Sequence, residues 1–121
     1  MKIETVEKSG VTVAVVTEGT AIIDATSAME LAMTVRYETG CSRIAIDKKQ
    51  VCGDFFILST QLAGEVLQKF INYRVKMAIY GDYSRYTSKP LHDFIYESNQ
   101  GNDFFFVATK EEALEKLSAA R

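Results

Sequence analysis

The chain has 121 residues, which is the size of one domain, and residues 1–121 are predicted to form a single domain. Its hydrophobic share of 47% and charged share of 25% are those of an ordinary globular protein and exclude a disordered chain. The net charge is −2, and no run of basic residues is longer than two. This balance argues against a nucleic acid or an anionic membrane as a partner held by charge.

The first ten residues, MKIETVEKSG, carry charges where a secretory signal needs an apolar run, and the apolar stretches are too short to cross a bilayer. We therefore expect a cytoplasmic protein that does not enter a membrane. Cys41 and Cys52 have no histidine nearby, and their spacing is neither that of a zinc site nor that of a redox pair. They are expected to be free thiols, and we predict neither a metal nor a cofactor.

The chain opens with the pattern of a β-hairpin. Residues 3–6 and 11–16 alternate, are rich in β-branched side chains and flank Gly10, which suits a tight turn. A loop is predicted at residues 18–20, and residues 21–23 either pair briefly or lead into the next element. The sequence thus predicts that the domain begins with two antiparallel strands.

A helix and a buried strand follow the hairpin. The helix is predicted to begin at a cap formed by Asp24 or Thr26 and to end near Thr39, with Gly40 as its C-terminal cap. Its buried stripe recurs at helical spacing and consists of Ala28, Leu31, Ala32 and Val35. The run RIAID at residues 43–47 is short and apolar and ends in an aspartate, which suits a central parallel strand.

The middle of the chain contains a less regular segment, a second helix and a third buried strand. At residues 48–57 the pattern favours a turn in which Phe55 and Phe56 enter the core. A helical apolar pattern then begins at about Leu58 or Ser59 and ends before the run VKMAIY at residues 75–80, which predicts a strand.

The last third repeats this alternation. Ser88 is predicted to cap a helix that carries Pro90 in its first turn, where a missing N–H does no harm. An apolar strand is predicted at residues 103–107, and Thr109 then caps a final helix at residues 111–117. Strands that alternate with helices indicate right-handed crossovers. We therefore predict an α/β fold: one mixed, mostly parallel sheet of about five strands, with an N-terminal antiparallel hairpin and about four helices.

Three segments resemble a known bacterial family, domain of unknown function 4180. They are AGEVLQKFINYRVKMAIYGDYS at residues 63–84, SKPLHDFIYESNQG at residues 88–101 and FFFVATKEEALEKL at residues 104–117. The resemblance covers essentially the whole chain. It implies kinship and no particular activity.

The predicted order of elements is also similar to that of STAS domains, the family of anti-sigma-factor antagonists. In that family a serine or threonine at the start of the helix after the third strand is phosphorylated, and this controls the binding of a partner. Ser59 and Thr60 lie near the corresponding place, so the similarity implies that they are phosphorylation candidates. The family's Asp-Ser-Ser/Thr-Gly pattern is absent, because residues 56–61 here read Phe-Ile-Leu-Ser-Thr-Gln.

The carboxyl ends of the parallel strands are the expected place for a ligand, because helix N-termini point their free N–H groups there. Asp82 is the predicted polar centre, Gly81 lets the backbone approach a ligand, and Arg85 could hold an anion. The ligand-binding candidates are Asp47, Gly81, Asp82, Ser84, Arg85 and Thr109. The alternative interpretation is an ordinary turn at Gly81-Asp82, with hydroxyl groups that only cap helices.

A second candidate surface lies on the helix that precedes the VKMAIY strand. Gln61, Glu65, Gln68 and Asn72 are spaced by four, three and four residues and form one polar stripe, and Lys69 lies one turn from Glu65. Amides with few long charged side chains suit an interface, so these five residues are candidates for docking a protein partner. The alternative is a solvated helix face.

No residue pattern specifies a reaction. The only histidine, His92, falls beside the apolar stripe of its helix, and no nucleophile elbow accompanies it. The leading hypothesis is a small regulatory or protein-interaction module of STAS-like architecture that binds a protein partner or forms a homo-oligomer. The alternative is a small-molecule-binding protein or an enzyme that uses the strand edge around Asp82.

Overall fold

The computed structural model describes residues 2–19 and 21–121. Met1, and Thr20 of the predicted loop at residues 18–20, lie outside the described residues. The strands are β1 (Lys2–Lys8), β2 (Val11–Thr17), β3 (Arg43–Asp47), β4 (Lys76–Tyr80) and β5 (Phe104–Val107), and the α-helices are α1 (Ala25–Thr39), α2 (Leu62–Asn72), α3 (Lys89–Gln100) and α4 (Lys110–Ala119). Within the described ranges, no helix is both long enough and apolar enough to cross a membrane.

The strands form one sheet in the order β1-β2-β3-β4-β5, in which β1 is antiparallel to β2 and the later neighbours are parallel. This confirms the predicted α/β fold with a mixed sheet and an N-terminal hairpin. The hairpin turn holds Ser9 at φ 53° and Gly10 at φ 79°, and two positive φ values match the twist of the paired strands. The strand order increases steadily, so each crossover advances by one strand.

The four parallel strands β2–β5 are covered on both faces, which explains why they are almost continuously apolar, whereas the edge strand β1 is largely exposed. One face and the helices α1, α2 and α3 enclose the larger core, and the other face packs against α4. The alternation of side chains along each strand therefore assigns Ile44 and Ile46 to the first core and Ala45 to the second.

The connection between β3 and α2 contains three short 3-10 turns, at Lys48–Gln50, Gly53–Phe56 and Leu58–Thr60. As predicted, Phe55 and Phe56 are buried in the core, and their rings contact those of Phe104 and Phe106 on β5. This irregular segment thus contributes two aromatic side chains to the core between the sheet and the helices.

The start of α2 differs from the sequence prediction. The apolar pattern predicted a helix from Leu58 or Ser59, whereas α2 begins at Leu62. Gln61 adopts a left-handed conformation, with φ 66°, and this residue separates the last 3-10 turn from the helix. Helical periodicity continues through both elements, because a 3-10 turn places side chains at nearly the same spacing.

Candidate functional site

The sheet separates the predicted ligand-binding residues onto its two sides. Asp47 and Tyr80 are paired in register at the ends of β3 and β4, and the side chain of Tyr80 packs on the side of α4. Arg85 follows β4 and lies on the side of α3. Thr109 caps α4, and its hydroxyl accepts a hydrogen bond from the backbone N–H of Glu112. The predicted set therefore does not converge on one ligand.

Asp47 belongs to a hollow of about 410 Å³ at the carboxyl ends of β2, β3 and β4, which we call the strand-end hollow. It is lined by Thr17, Glu18, Gly19, Asp47, Lys49, Gln50 and Tyr80. The position is one where parallel α/β sheets hold ligands. Carboxylate, ammonium, amide and phenol groups all face it, so it offers both hydrogen-bond donors and acceptors to a small polar molecule.

Gln50 fixes the floor of the strand-end hollow. Its side chain is 5% exposed, its Nε2 donates to the carbonyl oxygen of Glu18 at 3.2 Å, and its Oε1 accepts from the N–H of Asp47 at 3.3 Å. The carboxylate of Asp47 accepts from the N–H of Lys49 at 2.8 Å. These bonds tie the end of β2 to the end of β3. The sequence prediction missed Gln50, because a glutamine after two lysines carries no signal of burial.

Tyr80 contributes a protonated phenol to this hollow. Burial raises the pKa of Tyr80, and the nearby carboxylates of Asp47 and Glu111 raise it further. The raised pKa keeps the hydroxyl neutral at every pH at which a free tyrosine is neutral. It is therefore available as a hydrogen-bond donor to a ligand.

The predicted polar centre, Asp82, is exposed and belongs to a tight turn. Hydrogen bonds from the hydroxyl and the backbone N–H of Ser84 lower the pKa of Asp82, and the N–H of Ser84 lies 2.8 Å from Oδ1. At Gly81, where a ligand was expected to approach, the side chain of Lys48 covers the backbone. A Cβ added to Gly81 would lie 2.7 Å from Cβ of Lys48.

Aromatic rings close the strand end beside this turn. The hydroxyl of Tyr83 donates to the carbonyl oxygen of Ile79 at 2.7 Å, and burial raises the pKa of Tyr83. Its ring packs against Phe56 and Tyr86, with centroids 5.9 and 6.3 Å away. We call these three rings the ring platform. Together with Lys48 they occupy the space next to Gly81 that the ligand hypothesis required to be open.

A second hollow, of about 440 Å³, lies between the β3–α2 connection and the start of α3. It brings Ser59 and Arg85 together, two residues that the sequence placed on the same edge. Its floor is mainly apolar and includes Phe56 and Leu91, and Ser88 at its rim caps α3 by accepting from the N–H of Leu91.

The phosphorylation candidates lie in the last 3-10 turn, before α2 begins. Ser59 is exposed. The hydroxyl of Thr60 lies 2.8 Å from the carbonyl oxygens of both Asp54 and Ile57, so it already has partners within the connection. Phosphorylation at either residue stays a prediction.

The docking candidates are all exposed, and four of the five line one of two grooves that flank α2, the exception being Asn72. Gln61, Glu65 and Gln68 line a groove of about 470 Å³ that faces α3 and has Leu58 and Phe94 as its apolar part. Lys69 lines a groove of about 320 Å³ that faces α1, together with Met29 and Met33. Gln68 donates to the side-chain oxygen of Asn72 at 3.0 Å, which orders the amide stripe.

The surroundings of His92 and of the two cysteines are as follows. The ring of His92 is exposed, and its Nε2 contacts the carbonyl oxygen of Tyr86. Cys41 is buried, Cys52 is half-buried, and both are free thiols as predicted.

Comparison with known proteins places the chain in a family. The family model described as Domain of unknown function (DUF4180) matches residues 8–117. This span runs from the last residue of β1 into α4 and contains both hollows, both grooves and the ring platform. A search of curated proteins and a search of solved structures each found no match. The chain therefore belongs to the family Domain of unknown function (DUF4180).

Proposed function

We propose that this chain is a small cytoplasmic regulatory module of STAS-like architecture, which acts by binding a protein partner or a second copy of itself. The observation that carries the proposal is the uneven distribution of exposed apolar side chains. Seven large apolar residues are exposed in the described part of the chain, and all belong to α1, α2, α3 or the segments that adjoin them. They are Ile23, Met33, Tyr37, Ile57, Ile71, Tyr73 and Tyr96.

The composition of this helical side resembles that of a protein interface. Aromatic residues and methionine are enriched at interfaces, whereas lysine and glutamate are depleted. Tyr37 is 92% exposed on α1, and Met33 precedes it by one turn. On the opposite side of the sheet, the exposed positions of α4 include Glu111, Glu112 and Glu115, which suit solvent. Exposed charged residues such as Glu30, Glu65 and Lys69 also lie on α1 and α2, so docking on the α1–α3 side is favoured by the exposed apolar residues, none of which lies on α4 in the described part of the chain.

Helix α2 is the centre of the proposed surface, because grooves with apolar floors run along both of its sides. An apolar side chain of a partner can enter each groove while the amides of Gln61 and Gln68 supply hydrogen bonds at the rim. Amides donate and accept hydrogen bonds without the desolvation cost of a buried charge, which suits a surface that is alternately free and covered.

We expect Met33→Lys and Gln68→Arg to weaken association by about tenfold or more, because each places a cation in the proposed contact. Sedimentation velocity across a wide concentration range reports self-association, and capture from a bacterial lysate on the immobilised chain reports other partners. The matched control is Ala119→Arg, which adds the same single positive charge at an exposed position of α4. The proposal fails if the wild-type chain is a monomer that retains no partner, or if the control weakens binding as much as the α2 change.

A second candidate function is the binding of a small polar molecule in the strand-end hollow. The specific observation in its favour is the convergence of Asp47, Tyr80 and the buried Gln50 on one cavity. The charges around it come from Glu18, Asp47 and Lys49, so the group that it suits is a hydroxyl-rich or amine-bearing molecule. This places the alternative hypothesis on Asp47 instead of Asp82.

This second candidate has a direct test by NMR. A set of small polyols and amines should include at least one compound that shifts the backbone amides of Gly19, Asp47 and Lys49 in the ¹⁵N-labelled chain. Asp47→Asn should lower the affinity for that compound about tenfold, because a hydrogen bond to a charged group is lost. Asp82→Asn is the matched control and should leave its affinity unchanged. If only the Asp82→Asn variant loses binding, the ligand binds at the Gly81-Asp82 turn and not in the strand-end hollow. If no compound shifts these amides, the strand-end hollow does not bind molecules of this class.

A further inference from the structure

Lys48 holds its ammonium group against the ring platform. Its Nζ lies 4.8 Å from the ring centroid of Tyr86, 5.4 Å from that of Phe56 and 6.0 Å from that of Tyr83. Cations are attracted to aromatic faces at distances up to about 6 Å. All three rings therefore contribute to holding one ammonium group.

The platform and the lysine that it holds come from three separate parts of the chain. Lys48 begins the turn after β3, Phe56 ends the second 3-10 turn, and Tyr83 and Tyr86 belong to the β4–α3 connection. The rings are held together independently of Lys48, since Phe56 and Tyr86 stack with centroids 5.3 Å apart and Phe56 also packs on Phe106. The platform can therefore persist when the lysine side chain leaves.

Lys48 has no ion-pair partner among residues 2–19 and 21–121. Its half-exposed side chain stands beside Gly81, whose missing Cβ gives the lysine stem room. Solvent is thus available to the ammonium group as an alternative to the rings. The side chain can move between these two environments without breaking a salt bridge.

We propose that the ring platform is a binding site for quaternary alkylammonium groups, which Lys48 occupies from within the chain. A primary ammonium is strongly hydrated, so its contact with aromatic rings costs desolvation. A quaternary ammonium carries the same charge with apolar methyl groups on its surface, and aromatic sites recognise it well. An external ligand of this class takes the place of Lys48, whose side chain moves into solvent.

The test is a titration of the full chain with tetramethylammonium chloride, followed by the ¹H shifts of the Tyr83 ring, which every variant retains. We expect Lys48→Ala to bind the cation about tenfold or more tightly than the wild-type chain, because the internal competitor is gone. Lys116→Ala, which removes an exposed lysine on α4 far along the chain from the platform, should bind as the wild type does. Titration with sodium chloride corrects for ionic strength.

A second variant tests the proposal if Lys48→Ala does not fold. Lys48→Gln removes the charge while retaining most of the stem beside Gly81, and it should also gain affinity. Adding Tyr86→Leu to either variant should abolish the gain. Equal binding by the wild-type chain and both Lys48 variants, or binding that survives the loss of the Tyr86 ring, would overturn the proposal.

Two sources of the same chemistry are compared in the final arm of the experiment. Choline represents a free quaternary amine, and a short peptide with one trimethyllysine represents a modified protein. A gain in affinity for the peptide over choline would assign the site to a protein partner, and the reverse would assign it to a small molecule. If a variant binds tetramethylammonium but shows no shifts with choline or with the peptide, the ring platform does not bind larger ligands of this class.

Discussion

Replacing Phe55 with alanine is expected to lower the free energy of unfolding by about 3–5 kcal/mol. Phe55 is 1% exposed, and its ring lies 5.1 Å from Phe56, 6.1 Å from Phe104 and 6.3 Å from Phe106 by centroid distance. Two of these rings, Phe104 and Phe106, are held on strand β5, so they cannot easily move into the cavity that alanine would leave. Because small domains have about 5–15 kcal/mol of stability, the loss is a large part of the total.

Urea-induced unfolding, monitored by circular dichroism, measures this change. Ile57→Ala is the matched control, because Ile57 lies two residues away in the same connection but is 52% exposed. Its effect should stay within about 0.5 kcal/mol. Equal effects of the two substitutions would mean that the connection packs differently from the structure described above.

The sequence predicted those parts of the fold in which local signals and burial agree. Gly40 does end α1 in a left-handed conformation, with φ 74°, and Ser88 does cap α3. Both depend on interactions within one turn of chain. The β3–α2 connection was predicted less well, because the position of Gln61 depends on how Phe55 and Phe56 enter the core. Contacts that are distant in sequence decide that geometry.

The candidate site residues stay a prediction, although the sequence did indicate which strand ends carry them. Asp47 is the last residue of β3, and Asp82 comes two residues after the end of the neighbouring parallel strand β4. The separation of Asp47 from Arg85 by the two faces of the sheet follows from the alternation of side chains together with the position of α4. The closing of the Gly81 edge by Lys48 could not be read from the sequence, because an attraction between a lysine and three rings requires the tertiary structure.

Gly81→Ala is expected to destabilise the chain by about 1–3 kcal/mol, although it adds only one methyl group. Gly81 has φ 158°, which L side chains rarely adopt, and its Cβ would lie 2.7 Å from Cβ of Lys48. That carbon is attached to the backbone, so the clash cannot be relieved by rotating the far end of a side chain. Both causes act in the same direction.

Gly64→Ala provides a control of opposite sign. Gly64 is exposed within α2, and a Cβ there would meet nothing within 4 Å. Alanine is favoured over glycine in a helix interior by about 0.5–1 kcal/mol, so this variant should be more stable than the wild-type chain. Thermal unfolding of both variants measures the expected loss of stability in Gly81→Ala and the expected gain in Gly64→Ala. Destabilisation by Gly64→Ala would show that α2 does not tolerate a methyl group on its exposed side.

A double-mutant cycle separates the two causes at Gly81. Lys48→Gly removes the carbon that the new methyl group would strike, so Gly81→Ala should cost less in that background than in the wild-type chain. The cost that remains measures the backbone conformation alone. If the cost is unchanged, Lys48 does not lie against Gly81, and both the closed strand edge and the occupation of the ring platform by Lys48 are wrong. The same cycle therefore tests the stability of the turn and the geometry on which the alkylammonium site depends.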